Sequence, residues 1–283
     1  MSWFILAIFA LISFVLYDLA GRYLATRSSN PQAFAVIYNL AVTILAPALF
    51  LFDPTLPHDI TLRVVVFTII GLLVWGLFGR FEYFAKKHTE ASTLTIVTKL
   101  DVILNFILVM IFLGEKPTPM KFLGMGLIIV ANIFLFIGHS WRKVISDKGL
   151  KYSLLIAVFL AVGWVFDTVN VKYWGVATFS SFSFLAPVLL SSFFPRIKLA
   201  ELKHELSFNP LWQIFVMAAL NLAGYAAMLK ALTLGPATSV MPVVTATSPF
   251  VVLFGYLILK EKDYPLRKLV AGILTVIAIY LMR

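Results

Sequence analysis

Ten long apolar blocks dominate this chain, and each is about as long as a lipid bilayer is thick. They cover residues 3–20, 32–52, 62–84, 91–113 and 120–137, then 152–171, 179–194, 212–229, 240–259 and 266–282 beyond a basic stretch around Lys148. A helix of roughly 20 residues, rising 1.5 Å per residue, crosses a hydrocarbon core of about 30 Å. Of the 283 residues, 61% are hydrophobic and 13% charged, against about 25% charged in a soluble domain. The connections are short and carry turn formers, as in Ser28-Ser29-Asn30-Pro31, Asp53-Pro54 and Asn209-Pro210, so no separate soluble domain fits. The expected fold is an all-α integral membrane protein with ten transmembrane helices.

The charges exclude several functions. Lys and Arg outnumber Asp and Glu by 23 to 13, but the basic residues sit between apolar blocks, as at Arg142, Lys143, Lys148 and Lys151, or Lys260, Lys262, Arg267 and Lys268. Such clusters set membrane topology, and no basic surface domain remains to hold nucleic acid. The absence of cysteine rules out disulfides, thiolate nucleophiles and cysteine metal sites. The histidines, His58, His88, His139 and His204, fall in connections or at block ends, which leaves a metal site unsupported. No cofactor is expected. No basic segment precedes the apolar run from Trp3, so the first helix is expected to be retained.

The two sets of five blocks are related. With a constant offset of 146 residues, Ala91 meets Ala237, Val97 meets Val243, Leu113 meets Leu259, Glu115-Lys116 meets Glu261-Lys262, Pro119 meets Pro265 and Gly126 meets Gly272. The first helices echo one another in Tyr17-Asp18 and Phe166-Asp167. The repeats are read as residues 1–143 and 147–283. An odd number of helices per repeat forces opposite orientations, and the charges agree. The first half loads its first and third connections (Arg22, Arg27, Arg80, Lys86, Lys87), whereas the second half loads the alternate ones (Arg196, Lys198, Lys203, then the Lys260 cluster). Opposite bias in equivalent loops is what an inverted repeat requires.

At these turns the sequence resembles the drug/metabolite transporter superfamily, in its ten-helix EamA-type branch. The resemblance rests on Leu113-Gly114-Glu115-Lys116 running to Gly126 and Leu259-Lys260-Glu261-Lys262 running to Gly272. It implies a central cavity lined by both halves, alternating access, and export of amino acids or related metabolites coupled to protons or exchange. Organic anions and nucleotide sugars are the alternative substrates within the superfamily. The expected location is multi-pass in a prokaryotic inner membrane. Members are drawn with both termini in the cytoplasm. Here 16 basic residues lie on the side opposite the termini and 6 on the terminal side, so the positive-inside rule favours termini outside.

Ionisable groups inside apolar blocks are the candidate site. Lys99 and Asp101 lie near the middle of the fourth block, followed by Asn105, and each charge costs about 2.5–3.5 kcal/mol at a helix centre. Thr98, Asp101 and Asn105 share one helical stripe, while Lys99 points about 200° from Asp101. Either Asp101 and Asn105 face the cavity to hold an ammonium group or a coupling proton, or Lys99 makes a structural pair with Asp18, Glu82 or Asp167. Asp18 has Arg22 one turn on, which suggests a local ion pair. Asp167 has no such neighbour, and with Trp164 and Asn170 it forms a polar and aromatic stripe. Arg80 and Glu82 are expected to snorkel to the interface.

Neutral groups fill out the candidate set. Tyr38 and Asn39, and Asn221 and Tyr225, offer hydrogen bonds, although such groups often join helices instead. Trp75 and Trp164 read as packing or as ligands. In the ninth block Pro242 and Pro249 flank Thr245, Thr247 and Ser248. Each proline removes a donor and frees a carbonyl, as in interrupted transporter helices at binding sites and hinges. Pro47 and Pro187 are candidate bends. No metalloprotease, serine hydrolase or cysteine motif supports an intramembrane enzyme. A receptor carrying a Schiff base on Lys99 has only that lysine to recommend it.

Overall fold

The computed structural model describes residues 2–25, 27–88, 97–136, 142, 145, 150–193, 196–251 and 265–283. Within them the chain is helical, with no strand. The first half supplies α1 (Trp3–Ala25), α2 (Pro31–Leu45), α3 (Leu62–His88), α4 (Leu100–Leu113) and α5 (Pro119–Phe136). The second supplies α6 (Leu150–Trp174), α7 (Val176–Ser183), α8 (Leu185–Phe193), α9 (Leu199–Phe208), α10 (Leu211–Leu234), α11 (Ala237–Thr245) and α12 (Pro265–Leu281). Five apolar spans, Trp3–Gly21, Pro31–Leu51, Leu62–Gly79, Leu150–Trp174 and Leu211–Leu234, are long enough to cross a bilayer, and shorter apolar helices accompany them.

Lipid and core faces are written in the same helical period. On α1, Ile5, Phe9, Ile12 and Leu16 lie about half exposed, while Ala7, Ala10, Leu11 and Val15 are buried. The large apolar residues point outward because lipid is as apolar as they are, and the small ones let helices approach. Prolines lie at two of the breaks. The α2 span tightens to a 3-10 turn over Ala46–Leu51, where Pro47 has no N–H to continue the helix. The seventh block divides at Phe184, three residues before Pro187.

The principal helix contacts join the two halves, and they come in exchanged pairs. Contact of α1 with α10 mirrors α6 with α3, α4 with α6 mirrors α11 with α1, and α3 with α8 mirrors α10 with α2. Contacts of α5 with α12, α4 with α11 and α2 with α8 map onto themselves. An offset of 149 residues, from Asp18 to Asp167, relates the two large crossings residue by residue. At one, Gly224 admits the ring of Phe14; at the other, Gly163 admits the indole of Trp75, where an added Cβ would stand 2.9 Å from the ring. Phe14 maps to Gly163 and Trp75 to Gly224, so each crossing pairs a glycine with an aromatic, on opposite members.

The ends of the bundle are tied by carboxylates acting across the halves. At the end with the termini, Trp3 packs on Gly235, Arg283 covers the Phe4 ring, and Lys230 pairs with Asp53 at 2.8 Å. There Glu115 accepts from the backbone N–H groups of Ala237 and Thr238 at 2.7 and 2.8 Å and from the Thr238 hydroxyl at 2.6 Å. Pro236 offers α11 no side-chain cap, so a carboxylate from the other half satisfies its first N–H groups and meets its positive dipole end. At the opposite end Glu205, fully buried on α9, accepts from Ser29 N (3.0 Å), Ser29 Oγ (3.0 Å), Asn30 N (2.9 Å) and Asn209 Nδ2 (2.8 Å).

Gly126 and Gly272, which mark the repeat, face open space, whereas Gly124 makes a close approach to Met282 and Ala278. The connection before α10 is partly helical as α9, a helix no apolar block announced. The Glu261-Lys262 turn lies outside the described residues, as do residues 91–96 of the fourth block.

Candidate functional site

Among the described residues Asp167 is the best-enclosed ionisable group in the membrane interior, with no exposed surface. It projects from α6, whose crossing with α3 is close because Gly163 lets the Trp75 indole lie against the helix. Trp75 donates its indole N–H to Asp167 Oδ1 at 2.9 Å, and the Tyr225 hydroxyl, from α10, donates to Oδ2 at 2.9 Å. One oxygen is therefore held by the first half and the other by the second. Trp164, one turn before Asp167, meets Trp75 edge to face at 4.7 Å and lies 6.4 Å from the Tyr225 ring. Its own indole N–H is buried without a partner.

The shell extends in both directions along the bundle. Asn170 Oδ1 accepts from the Thr68 hydroxyl at 3.0 Å, which in turn accepts from the Trp174 indole at 2.8 Å. The Asn170 amide nitrogen is buried with no partner. Phe184, in the break between α7 and α8, closes on Tyr225 at 5.2 Å. One turn before Tyr225, Asn221 donates to the Tyr38 hydroxyl, and Tyr38 stacks on Tyr17 at 5.7 Å. Asn39 turns back to its own helix at Ala35.

Asp101 and Asn105 are buried on α4, but at another depth. Asn105 donates to the Ala161 carbonyl at 3.1 Å, and α4 and α6 both run toward the end that carries the termini. Asp101 therefore lies about ten residues, roughly 15 Å, along the axis from Asp167. One Asp101 oxygen and the Asn105 carbonyl oxygen have no hydrogen-bond partner. Lys99 is half-buried on the turn before α4. Asp18 is half-buried on α1, and its neighbour Arg22, like Arg80, has its side chain outside the described set.

The repeat mates α4 and α11 are interrupted within one residue of the matching position. Helix stops at Thr245, turns at Ala246 and resumes at Thr247; in the first half the turn falls at Lys99, the residue 146 before Thr245. Pro249 cannot donate to the Thr245 carbonyl, and Pro242, buried within α11, removes the bond to Thr238. The Thr245 hydroxyl bonds the Met241 carbonyl at 2.7 Å. Ser248 is buried beyond the turn. The first-half break occurs with no proline nearby.

Sequence reasoning missed Tyr225 and Trp75 as partners of one carboxylate, and Glu115 and Glu205 as caps. A groove of about 280 Å³ at Phe250, Leu269, Gly272, Ile273, Val276 and Ile277 is apolar and faces outward, with nothing to grip a polar solute. Among the described residues no group of three or more His, Asp or Glu could hold a metal ion.

Comparison with known proteins fits this arrangement. A solved crystal structure superposes with a TM-score of 0.72 over 99% of this chain and 95% of the other, at 16% identity, which is a likeness of fold alone. A search of curated proteins found no match. The sequence model of the EamA-like transporter family matches twice, over residues 1–137 and 147–283. The chain belongs to the EamA-like transporter family, within the drug/metabolite transporter superfamily, and is a multi-pass membrane transporter.

Proposed function

We propose that the protein is a secondary transporter that exports or exchanges a small polar metabolite, an amino acid or a related compound such as an amine, by alternating access. The observation that carries this reading is the Asp167 carboxylate, buried at an inter-half contact with one oxygen bonded from each half. Rocking of the repeats, taken as residues 1–143 and 147–283, would break one of those bonds and open the acid to one side. The interruptions at Lys99 and at Thr245–Ala246, with Pro242 and Pro249, supply hinges for that motion. Asp101 and Asn105 form a second polar station suited to a coupling proton.

The charge bias supports placing the end that carries Glu115 and both termini outside and the Glu205 end in the cytoplasm, in a prokaryotic inner membrane. The test is counterflow in proteoliposomes loaded with an amino-acid and amine pool. Accumulation of label against preloaded solute, abolished in Asp167→Asn and reduced in Asp101→Asn with normal insertion, is the expected outcome. Flux unchanged in both variants would remove the site.

A further inference from the structure

The groups around Asp167 point to the charge of the solute. Its two bonded neighbours are neutral, and among the described residues no Lys or Arg bonds the carboxylate. The Lys230–Asp53 pair lies away at the end of the bundle. Two hydrogen bonds from neutral donors offset only part of the cost of holding a carboxylate in this interior. A cation would complete the offset.

Much of the rest of the shell is aromatic. Trp75, Trp164, Tyr225 and Phe184 are linked by ring contacts at 4.7, 6.4 and 5.2 Å, and Phe78 adds an edge contact to Trp75 at 5.4 Å. Aromatic faces attract cations, most strongly where water is excluded. Among the described residues the shell brings no basic side chain to a second, negative charge. An amino acid carries its carboxylate beside its ammonium, and that group would need a cation next to Asp167. Lys99 sits beside Asp101, at the other depth. The unpartnered indole N–H of Trp164 is a neutral donor suited to a hydroxyl or carbonyl on the solute.

Resting on the transporter reading, we propose that the Asp167 site selects organic cations, primary or substituted amines on an aromatic or apolar body, over the corresponding amino acids and acids. The ammonium sits against Asp167 between the rings of Trp164 and Tyr225, and the apolar body lies along Trp75 and Phe184.

The test keeps one body and changes only its charge. Phenethylamine, phenylalanine and 3-phenylpropionate are titrated at neutral pH into the purified full-length protein, with binding followed by calorimetry and by tryptophan fluorescence. The amine should bind at least ~10-fold more tightly than phenylalanine, the acid should give no saturable signal, and Asp167→Asn should weaken the amine by at least ~10-fold. Equal binding of amine and amino acid, binding of the acid, no binding of the amine, or full amine affinity in Asp167→Asn would each overturn the assignment. Should Asp167→Asn not fold, the wild-type series decides alone. Counterflow of the mixed pool separates the two readings: flux of amino acids or acids with the amine inert retires the cation assignment only, whereas no flux of any solute retires the transporter reading with it.

Discussion

The crossing of α3 with α6 and the crossing of α1 with α10 share a backbone plan but not a chemistry. At the 149-residue offset Asp167 maps to Asp18, Trp75 to Gly224, Tyr225 to Gly76, Trp164 to Val15, Asn170 to Gly21 and Thr68 to Met217. Where the first crossing has the Thr68–Asn170 hydrogen bond, the second has Met217 against Gly21 at 3.4 Å from an added Cβ. Each donor or indole around Asp167 is replaced near Asp18 by glycine or an apolar side chain. Inverted symmetry supplies two equivalent places for an acid, and the hydrogen-bond donors and indoles at these positions are present only around Asp167.

The sharpest way to break this contrast is to strip the equipped crossing. Tyr225→Phe and Trp75→Phe each remove one hydrogen bond to a buried carboxylate, worth about 1.5–3 kcal/mol, so flux per inserted molecule should fall about 10- to 100-fold. The measurement is initial rate in proteoliposomes, normalised to protein. Methyl groups at the paired glycines come next. Gly163→Ala and Gly224→Ala both overpack, at a cost of about 1–3 kcal/mol, and both should lower the melting temperature in detergent. Only Gly163→Ala displaces Trp75 from Asp167, so only it should also reduce flux per folded molecule.

The caps test whether the contrast is confined to the site. Glu115→Ala uncovers the first N–H groups of α11 and should cost about 0.5–2 kcal/mol, seen in thermal unfolding. Smallest is the surface pair. Desolvation raises the pKa of Asp53, but hydrogen bonds from Lys230 and Thr55 outweigh it, and the net value lies below the usual carboxylate range. Its contribution is present above the unfolded pKa and is lost as pH falls through the lowered folded one. Lys230 is 43% exposed, so Lys230→Gln should cost under about 1 kcal/mol, and the difference from wild type should vanish in strong acid.

Much of this fold was legible because lipid imposes long apolar blocks, and because Glu-Lys turns and prolines recur at a fixed offset. The break in α11 was legible from Pro242 and Pro249. The matching break at Lys99 carried no such signal, since Ile96 and Ile103 stand at the equivalent positions. Asp167 could be nominated from its stripe with Trp164 and Asn170, but its partners could not. Trp75 and Tyr225 lie on other helices, and one aromatic in an apolar block looks like any other until the crossings are known. The same holds for Glu115 and Glu205: as sequence they are acids in polar connections, and only the fold brings helix N-termini of the opposite half to them. Asp101 stood out by its cost in lipid, which does not reveal that it lies a different distance along the bundle from Asp167.

The direct test of the account compares the two equivalent acids. Asp167→Asn and Asp18→Asn are reconstituted side by side, and counterflow of the amine and amino-acid pool is measured at equal insertion. The account predicts loss of flux in Asp167→Asn with most of it retained in Asp18→Asn. Retention in the first with loss in the second would place the solute at the other crossing and contradict it.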